Sequence, residues 1–477
     1  MEIVFPDIPL YRGWGAPLRV ESDIRGLELI EGAIPADLNG TWYRAGPDRQ
    51  YPPMTGEDIF IDGEGMVHRI HFDNGHVDYR SRWVRTRRFE LQEQARRSLF
   101  GRYRNRYTSD PSVRDVSMGT ANTNAIYHGG KLLVLKEDDL PYQCDPVTLD
   151  TIGPWDFEGA VTAQALSAHP KIDWHRNELL TYSHQARGDG TTDMAFYIMN
   201  ADGKVDHEVW FHAPYPGVVH DFAVTDTHVI FPFFPLITDL NHLKEGGTFY
   251  RWYPNEKAHF AVMPRRGTAD QIQWFSGPAC SAGHMMNAFN EGSQLHLDIV
   301  LYDGNCFPFF PSIDNSPCEP CPPLLTRLSF DLAAGRDDYE RRVICQVPGE
   351  MPRTDDRFQG KPYNYGFMIC GRKEDGTSGI GRVDPQTGAL SIWHPGPASA
   401  CQEPQFVPRS LDAPEGDGYL LTIVNRLDQN RSDIAILDAR DFERGPVALL
   451  KLPVRVRSTF HGTWVPQSVL ANGRFEW

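Results

Sequence analysis

The chain has 477 residues, a formal net charge of −16 at pH 7 and 40% hydrophobic residues. Its 11 Trp, 18 Tyr and 26 Phe residues exclude a disordered chain, because so many rings need a folded core. The negative charge argues against nucleic acid as the main partner. No apolar run reaches the roughly 18 residues of a membrane span. The start, MEIVFPDIPLYRGW, lacks a basic and apolar leader, so we expect a cytoplasmic protein without stable membrane association.

Two local features of the composition have ordinary explanations. Nine arginines and only two acids lie between residues 82 and 106, which indicates a solvated helix face or a buried arginine–carboxylate network. The eight cysteines are scattered, so we expect them to be reduced and mostly buried. Cys318 and Cys321 form a CxxC motif, but no second pair or nearby histidine completes a zinc site. A metal or redox role for this pair is therefore not expected.

Short strands are predicted from one end of the chain to the other. They are rich in β-branched and aromatic residues and are bounded by turn residues. The clearest are KLLVLKE (131–137), ELLTYSH (178–184), HVIFPFF (228–234), QLHLDIVLY (294–302), YLLTIVN (419–425) and SDIAILD (432–438). Helical periodicity is scarce, and the best candidate is FELQEQARRSLF at about 89–100.

Several of these strands end in an Asp- or Asn-led turn that a second strand follows at once. Such hairpins are predicted at 144–153, 199–210, 329–339, 382–393 and 437–450. Repeated hairpins are typical of propeller blades, although the spacing here is irregular and requires long insertions. No flexible linker divides the chain, so we expect one domain over 1–477. A pair of β-sandwiches is the structural alternative.

Four of the 17 histidines stand apart by their surroundings. His169, His220, His284 and His461 each lie at the edge of an apolar or small-residue run. They are 51, 64 and 177 residues apart, so they can meet only if the chain returns to one axis, as in a closed propeller. From the residues alone, ordinary buried histidines are the favoured explanation, because a buried histidine near a strand end is common.

Eight sequence blocks along nearly the whole chain carry a resemblance to a known family. They are LNGTWYRAGP (38–47), FIDGEGMVHRIHF (60–72), ANTNAIYHGGKLLVLKEDDLPYQCDP (121–146), VVHDFAVT, GHMMNAFNEG, GEMPRTDDR (349–357), QEPQFVPR (402–409) and FHGTWVP (460–466). In this order they resemble the carotenoid cleavage oxygenases. The resemblance implies an all-β fold, a seven-bladed β-propeller with a few helices and with long loops capping the active-site face.

The resemblance also implies the metal site. By it, His169, His220, His284 and His461 are ligands of Fe(II), and Glu137, Glu350 and Glu403 hold their outer ring nitrogens. Thr123 matches a threonine that shields one open coordination position. Carboxylates behind histidine ligands fix the tautomer and raise ligand basicity. Four imidazoles alone do not select iron over zinc or copper, so the iron expectation depends on the family.

Lys136 distinguishes the chain from carotenoid-cleaving members, which commonly have an aromatic residue before the matching glutamate. Here Lys136, Tyr103 and Phe60 resemble the substrate-contacting residues of the lignostilbene dioxygenases, a bacterial subgroup that cleaves 4-hydroxystilbenes. In that subgroup the lysine and tyrosine hold the 4-hydroxyl and the phenylalanine stacks on the ring. The alternative is that Lys136 pairs with Glu137 or points to solvent, since side chains alternate along a strand.

The sequence therefore predicts an iron(II) dioxygenase that uses O₂ to cleave the interphenyl double bond of a 4-hydroxystilbene into two aromatic aldehydes. Phenolate character at the 4-hydroxyl would push electron density toward that bond, which Lys136 and Tyr103 would support. An oxygenase of apocarotenoids, carotenoids or other phenylpropenoid alkenes is the first alternative. A catalytically silent propeller serving as an interaction platform is the second. A homodimer is compatible with the sequence, which does not determine the oligomeric state.

Overall fold

The computed structural model of the chain describes residues 3–56 and 58–475. The expected domain, 1–477, extends beyond these ranges at both ends. The strands of the first part of the chain are β1 (Ser22–Ile24), β2 (Glu28–Gly32), β3 (Gly40–Asp48), β4 (Glu64–Asp73), β5 (His76–Trp83), β6 (Asn124–His128), β7 (Lys131–Leu135), β8 (Tyr142–Cys144), β9 (Thr151–Pro154), β10 (Lys171–Asp173), β11 (Glu178–His184), β12 (Asp193–Met199) and β13 (Val205–His212).

The second part of the chain continues in the same manner. Its strands are β14 (Gly217–Val218), β15 (Ala223–Val224), β16 (His228–Ile237), β17 (Arg251–Trp252), β18 (Ala258–Pro264), β19 (Gln273–Gly277), β20 (Ser281–Glu291), β21 (Gln294–Tyr302), β22 (Leu324–Asp331) and β23 (Glu340–Val343). The last part contains β24 (Gly349–Thr354), β25 (Gly366–Cys370), β26 (Gly379–Val383), β27 (Leu390–Trp393), β28 (Ser399–Cys401), β29 (Gln405–Pro408), β30 (Gly418–Arg426), β31 (Arg431–Asp438), β32 (Pro446–Leu452) and β33 (Gly462–Pro466).

Within the described ranges these strands form seven antiparallel sheets, which we number as blades 1 to 7 in chain order. Blade 1 contains β3–β5, blade 2 β6–β9, blade 3 β10–β13, blade 4 β14–β19, blade 5 β20–β23, blade 6 β24–β27 and blade 7 β28–β32. The two ends of the chain close the ring, because β33 pairs with β3 in blade 1 and β2 pairs with β32 in blade 7. The prediction of a seven-bladed propeller is confirmed.

The hydrophobic core lies between neighbouring blades. One cluster joins Trp42 and Trp464 of blade 1 to Ile423 and Ile436 of blade 7. Similar clusters connect blades 4 and 5 and blades 2 and 3. Because each sheet packs both faces against its neighbours, strands β11 and β21, which coincide with the predicted strands 178–184 and 294–302, are buried along most of their length.

The predicted helix over 89–100 begins and ends earlier than expected. Helix α1 spans Arg87–Ala95, and α2 (Leu240–Lys244) and α3 (Gln467–Asn472) are the other α-helices of the described ranges. The Thr86 hydroxyl accepts the Phe89 backbone N–H and caps the start. Arg96 has a left-handed backbone conformation, with φ of 55°, and ends the helix.

The arginine-rich segment combines both explanations offered by the sequence. Arg88 is buried and donates to the Glu64 carboxylate at 3.1 Å, whereas Arg87 and Arg97 are exposed.

All eight cysteines are free, and five of them are buried. No helix within the described residues is long and apolar enough to cross a membrane.

Candidate metal centre and substrate cavity

Every blade supplies one side chain to a ring of histidines and glutamates. In the order of blades 1 to 7 these are His461, Glu137, His169, His220, His284, Glu350 and Glu403. His461 immediately precedes β33, and Glu137 lies two residues after β7. The spacing between them in sequence is irregular because each blade carries insertions of a different length.

Two of the seven residues lie at irregularities in their strands. The pairing of β20 with β21 shifts between Ala282 and Met285, around His284. The pairing of β24 with β25 shifts between Glu350 and Arg353. A bulge of this kind redirects a side chain relative to the regular alternation of a strand. Both bulges therefore help to aim a functional side chain at the same point.

The rings of His169, His220, His284 and His461 converge. One nitrogen from each ring lies within 4.8 Å of the others, and the two Nε2 atoms of His169 and His220 are 3.1 Å apart. The Nε2 atom of His284 is buried and has no hydrogen-bond partner among the described residues. A buried polar atom without a partner is costly, and four convergent imidazole nitrogens are a suitable ligand set for a divalent transition metal. The residues therefore fit a metal ion.

Three of the four rings are anchored from behind by carboxylates. The hydrogen bonds join His220 Nδ1 to Glu137 Oε1 (3.3 Å), His284 Nδ1 to Glu350 Oε2 (2.7 Å) and His461 Nδ1 to Glu403 Oε1 (2.7 Å). A carboxylate can only accept here, so each ring places its N–H on Nδ1 and leaves Nε2 as the metal-facing atom. This is the arrangement expected from the sequence resemblance.

The electrostatics of the site favour neutral rings and ionised acids. Burial, followed by the neighbouring rings, holds the pKa of His169 well below its ordinary value. Burial also lowers the pKa of His461 to about 4. For Glu403, burial raises the pKa, but His461 and Arg353 outweigh it and lower the pKa to about 2. Ionised glutamates around neutral imidazoles provide negative charge that compensates a bound dication.

Two residues that the sequence did not single out support the glutamates. Arg44 is fully buried and donates from Nη1 to Glu403 Oε2 at 2.9 Å. Tyr302 donates its hydroxyl to Glu350 Oε1 at 3.2 Å. Arg44 belongs to the block LNGTWYRAGP, but nothing in that block distinguishes a buried arginine from a surface one. Its partner is 359 residues away and becomes visible only in the tertiary structure.

A cavity of about 600 Å³ adjoins the histidines on one side. Its walls are mostly apolar and aromatic, with Tyr250, Phe307, Phe310 and Phe460 among them. His284 and His461 also border a polar cavity of about 710 Å³ on the other side. The lining of the aromatic cavity is that of a small-molecule site.

Lys136 lies in the wall of the aromatic cavity rather than in solvent. Only 3% of the residue is exposed, and its Nζ donates to the backbone oxygen of Ile61 at 3.0 Å and to Asn122 Oδ1 at 3.3 Å. Within the described ranges no carboxylate lies within 4 Å of this ammonium group. Strand β7 ends at Leu135, so the alternation that would place Lys136 in solvent no longer applies.

The other residues expected to contact substrate line the same cavity. The Tyr103 ring centroid is 5.0 Å from Lys136 Nζ, and burial followed by the charge of Glu137 raises the Tyr103 pKa well above its ordinary value. Phe60 is 52% exposed and makes edge contacts with Phe309 and Phe460 at the solvent side of the cavity. Thr123 lines the cavity next to the histidines.

A closed propeller with a four-histidine centre on its axis and an aromatic cavity beside it defines a metal-dependent enzyme for a small organic substrate. The chain matches the family model described as retinal pigment epithelial membrane protein, RPE65, over residues 15–466. It therefore belongs to this family, that of the carotenoid cleavage oxygenases. The predicted enzyme class, a dioxygenase that cleaves carbon–carbon double bonds, is confirmed.

Similar proteins are named for isoeugenol and for lignostilbene. The chain is 44% identical to isoeugenol monooxygenase of Pseudomonas nitroreducens, with 94% of this chain and 96% of the relative covered. It is 39% identical to lignostilbene-alpha,beta-dioxygenase isozyme III of Sphingomonas paucimobilis, with 98% and 99% covered. The crystal structure of Pseudomonas brassicacearum lignostilbene dioxygenase superposes with a TM-score of 0.94 at 41% identity and covers 98% of this chain and 100% of that one.

Proposed function

We propose that the protein is an iron(II) dioxygenase that cleaves the interphenyl double bond of 4-hydroxystilbenes with O₂ and releases two aromatic aldehydes. His169, His220, His284 and His461 would hold the iron. Bound ferrous iron would supply the redox chemistry that makes O₂ reactive toward the alkene. The aromatic cavity beside the histidines would hold the substrate.

The observation that carries the proposal is the buried ammonium of Lys136. An ammonium group removed from water is costly unless an anion or several acceptors compensate it. Lys136 gives two N–H groups to Ile61 and Asn122, and an ammonium group has three. One N–H is thus left for a ligand, and a phenolate oxygen supplies both an acceptor and a negative charge in direct contact with the ammonium. An apolar polyene supplies neither.

Tyr103 and Phe60 complete the substrate contacts. Because its pKa is raised, Tyr103 stays protonated and can donate a hydrogen bond to the same phenolate oxygen. Phenolate character at the 4-position raises the electron density of the conjugated double bond. Phe60 would pack on the ring and limit its rotation. Lys136 and Tyr103 therefore have a direct role in activating the substrate, and Thr123 would limit access to one position beside the metal.

Isoeugenol is a second candidate substrate, because a relative named for it is 44% identical to the chain. Isoeugenol also has a phenolic hydroxyl conjugated with an alkene, so the same Lys136 and Tyr103 contacts would serve it. On the side of the double bond away from the phenol, a stilbene has a second ring and isoeugenol a methyl group. Phe307 and Phe310 in the cavity wall can pack against a second ring, which favours the stilbene.

The test is a comparison of kcat/KM for 4-hydroxystilbene, isoeugenol and an apocarotenoid with purified protein reconstituted with Fe(II), Zn(II) or Co(II) under identical conditions. We expect Fe(II) alone to give cleavage and the stilbene to give the highest kcat/KM. In ¹⁸O₂, aldehydes reduced to alcohols within seconds should both carry label, and the brief reaction prevents exchange with water.

Each part of the proposal can fail separately in this comparison. Faster cleavage of isoeugenol than of the stilbene would make isoeugenol the proposed substrate. A preference for the apocarotenoid would remove the role of the phenolate. Label in only one product would show that the reaction is a monooxygenation. Full activity with Zn(II) would rule out iron.

A further inference from the structure

Asn122 is fully buried behind the cavity wall, and its side-chain amide uses its whole hydrogen-bonding capacity. Its Nδ2 donates to the backbone oxygens of Ile61 at 3.1 Å and Gly63 at 2.8 Å. Its Oδ1 accepts from Lys136 Nζ at 3.3 Å and from Thr123 Oγ1 at 2.9 Å. An amide has two donors and two acceptor positions, so all four are occupied.

These partners permit only one orientation of the amide. The two backbone oxygens can only accept and therefore require the NH₂ group, whereas the Lys136 ammonium can only donate and requires the oxygen. Rotating the amide by 180° would place its oxygen against the Ile61 and Gly63 backbone oxygens and its NH₂ group against the Lys136 ammonium. The position of Asn122 is thus determined by the segment 61–63, and Asn122 in turn determines where the Lys136 ammonium lies.

The same amide oxygen contacts two residues that line the substrate cavity, Lys136 and Thr123. Lys136 is the proposed contact of the phenolate. The single O–H of Thr123 is already donated to Asn122. A shift of the Asn122 amide would therefore move both contacts together.

We propose that Asn122 is a positioning residue for this reaction: it fixes the Lys136 ammonium against the substrate's phenolate oxygen. This inference rests on the proposed function, since it assigns the phenolate to Lys136. Asn122 itself does not contact the substrate. Its neutral amide also matters, because it holds the ammonium without neutralising the charge that the phenolate needs.

The charge at Lys136 is already moderated by nearby acids. Asp62, Glu137 and Asp138 interact with it electrostatically, although none is hydrogen-bonded to it among the described residues. A carboxylate at position 122 would lie at hydrogen-bond distance and form a direct ion pair. Asn122→Asp keeps the shape of the side chain but also loses both hydrogen bonds from Nδ2 to the Ile61 and Gly63 backbone oxygens. Through the new ion pair and the lost positioning, it should weaken the attraction of Lys136 for a phenolate.

The experiment uses 4-hydroxyazobenzene, which has the shape of 4-hydroxystilbene but no C=C bond to cleave, and whose phenolate absorbs at longer wavelength than the phenol. The pH at which the bound dye ionises is measured by absorbance in the iron-loaded protein. We expect the wild-type protein to ionise the dye at lower pH than water does. Asn122→Asp should raise the midpoint by about one pH unit, a tenfold weaker preference for the phenolate, and Asn122→Ala should raise it by a similar or smaller amount.

Two controls separate positioning from general damage. Asn287→Asp is the matched variant, since Asn287 is also buried and donates from Nδ2 to two backbone oxygens, those of Phe358 and Lys361, outside the aromatic cavity. It should leave the dye midpoint unchanged. The second control is Asn122→Asp in a Lys136→Met background, where the substitution should alter kcat/KM less than twofold if it acts through Lys136.

The possible results are distinct. A wild-type protein that binds the dye without shifting its ionisation would overturn the proposed function, and the inference with it. A wild-type shift that persists unchanged in both Asn122 variants would overturn the inference alone. An equal effect of Asn122→Asp with and without Lys136 would also overturn it, because the residue would then be only structural.

Discussion

Replacing Lys136 by methionine removes the ammonium group but keeps the length and apolar packing of the side chain. The variant should fold, because each protein acceptor of Lys136 keeps another donor. The Ile61 oxygen still accepts from Asn122 Nδ2, and Asn122 Oδ1 still accepts from Thr123. Iron content should stay at the wild-type level, since Lys136 is not among the converging ring nitrogens.

The expected loss of kcat/KM follows from the hydrogen bond between the Lys136 ammonium and the substrate's phenolate, which no other group replaces in the variant. A hydrogen bond to a charged group contributes about 1.5–3 kcal/mol, so kcat/KM for 4-hydroxystilbene should fall roughly 10- to 200-fold. The assay follows loss of stilbene absorbance together with aldehyde formation, with metal content measured on the same samples. The wild-type enzyme should reject 4-methoxystilbene, which cannot ionise.

Lys131→Met is the matched control. Lys131 lies at the start of the same strand, outside the aromatic cavity, with its ammonium over the Trp155 ring. Its loss should leave kcat/KM unchanged. The phenolate reasoning is wrong if the wild-type enzyme cleaves 4-methoxystilbene as fast as 4-hydroxystilbene. It is also wrong if Lys136→Met does not lower kcat/KM for 4-hydroxystilbene. Loss of iron from Lys136→Met would instead assign the residue to supporting Glu137.

Three further predictions concern the metal centre and the stability of the fold. His284→Ala should abolish activity and sharply lower bound iron, because three ligands hold the ion less tightly; full occupancy on metal analysis would remove His284 from the site. Glu350→Gln should lower activity or iron affinity roughly 10- to 100-fold, and an unchanged rate would show that its bond to the ring is unimportant. Burial raises the pKa of Asp139 to about 6, so the native state is increasingly destabilised as pH rises from about 4 to about 6, fully so above that value and not below about pH 4. Asp139→Asn should therefore raise the melting temperature at pH 8 but not at pH 4, corresponding to at most about 3 kcal/mol; equal shifts at both pH values would contradict the assignment.

The local sequence pattern was sufficient to predict the strands and hairpins from which the blades are built. Strands 178–184 and 294–302 coincide with β11 and β21, and the Asp- and Asn-led turns identified hairpins such as that between β12 and β13. Both signals depend on neighbours in sequence, since alternation, β-branching and turn chemistry act over a few residues. The end of α1 was less predictable, because it depends on the left-handed conformation of Arg96 and not on periodicity.

The family resemblance identified the four histidines and three glutamates, but the residues alone did not, because any buried histidine at a strand end has similar neighbours. Ring closure brings one such residue from every blade to the axis, and the bulges at His284 and Glu350 aim two of them. Arg44 and Tyr302, which support the glutamates, had no distinguishing local signal at all.

By itself, the sequence determined an all-β chain of repeated hairpins and the residue types of a metal centre. Only the tertiary structure decided that Lys136 is buried without a carboxylate partner within 4 Å among the described residues, and that Asn122 holds it. The physical reason is that burial and charge compensation depend on groups from distant parts of the chain, here Ile61 and Asn122. The predicted strand 131–137 includes Lys136 and was compatible with a side chain that faces solvent, whereas the observed β7 ends at Leu135, one residue before Lys136.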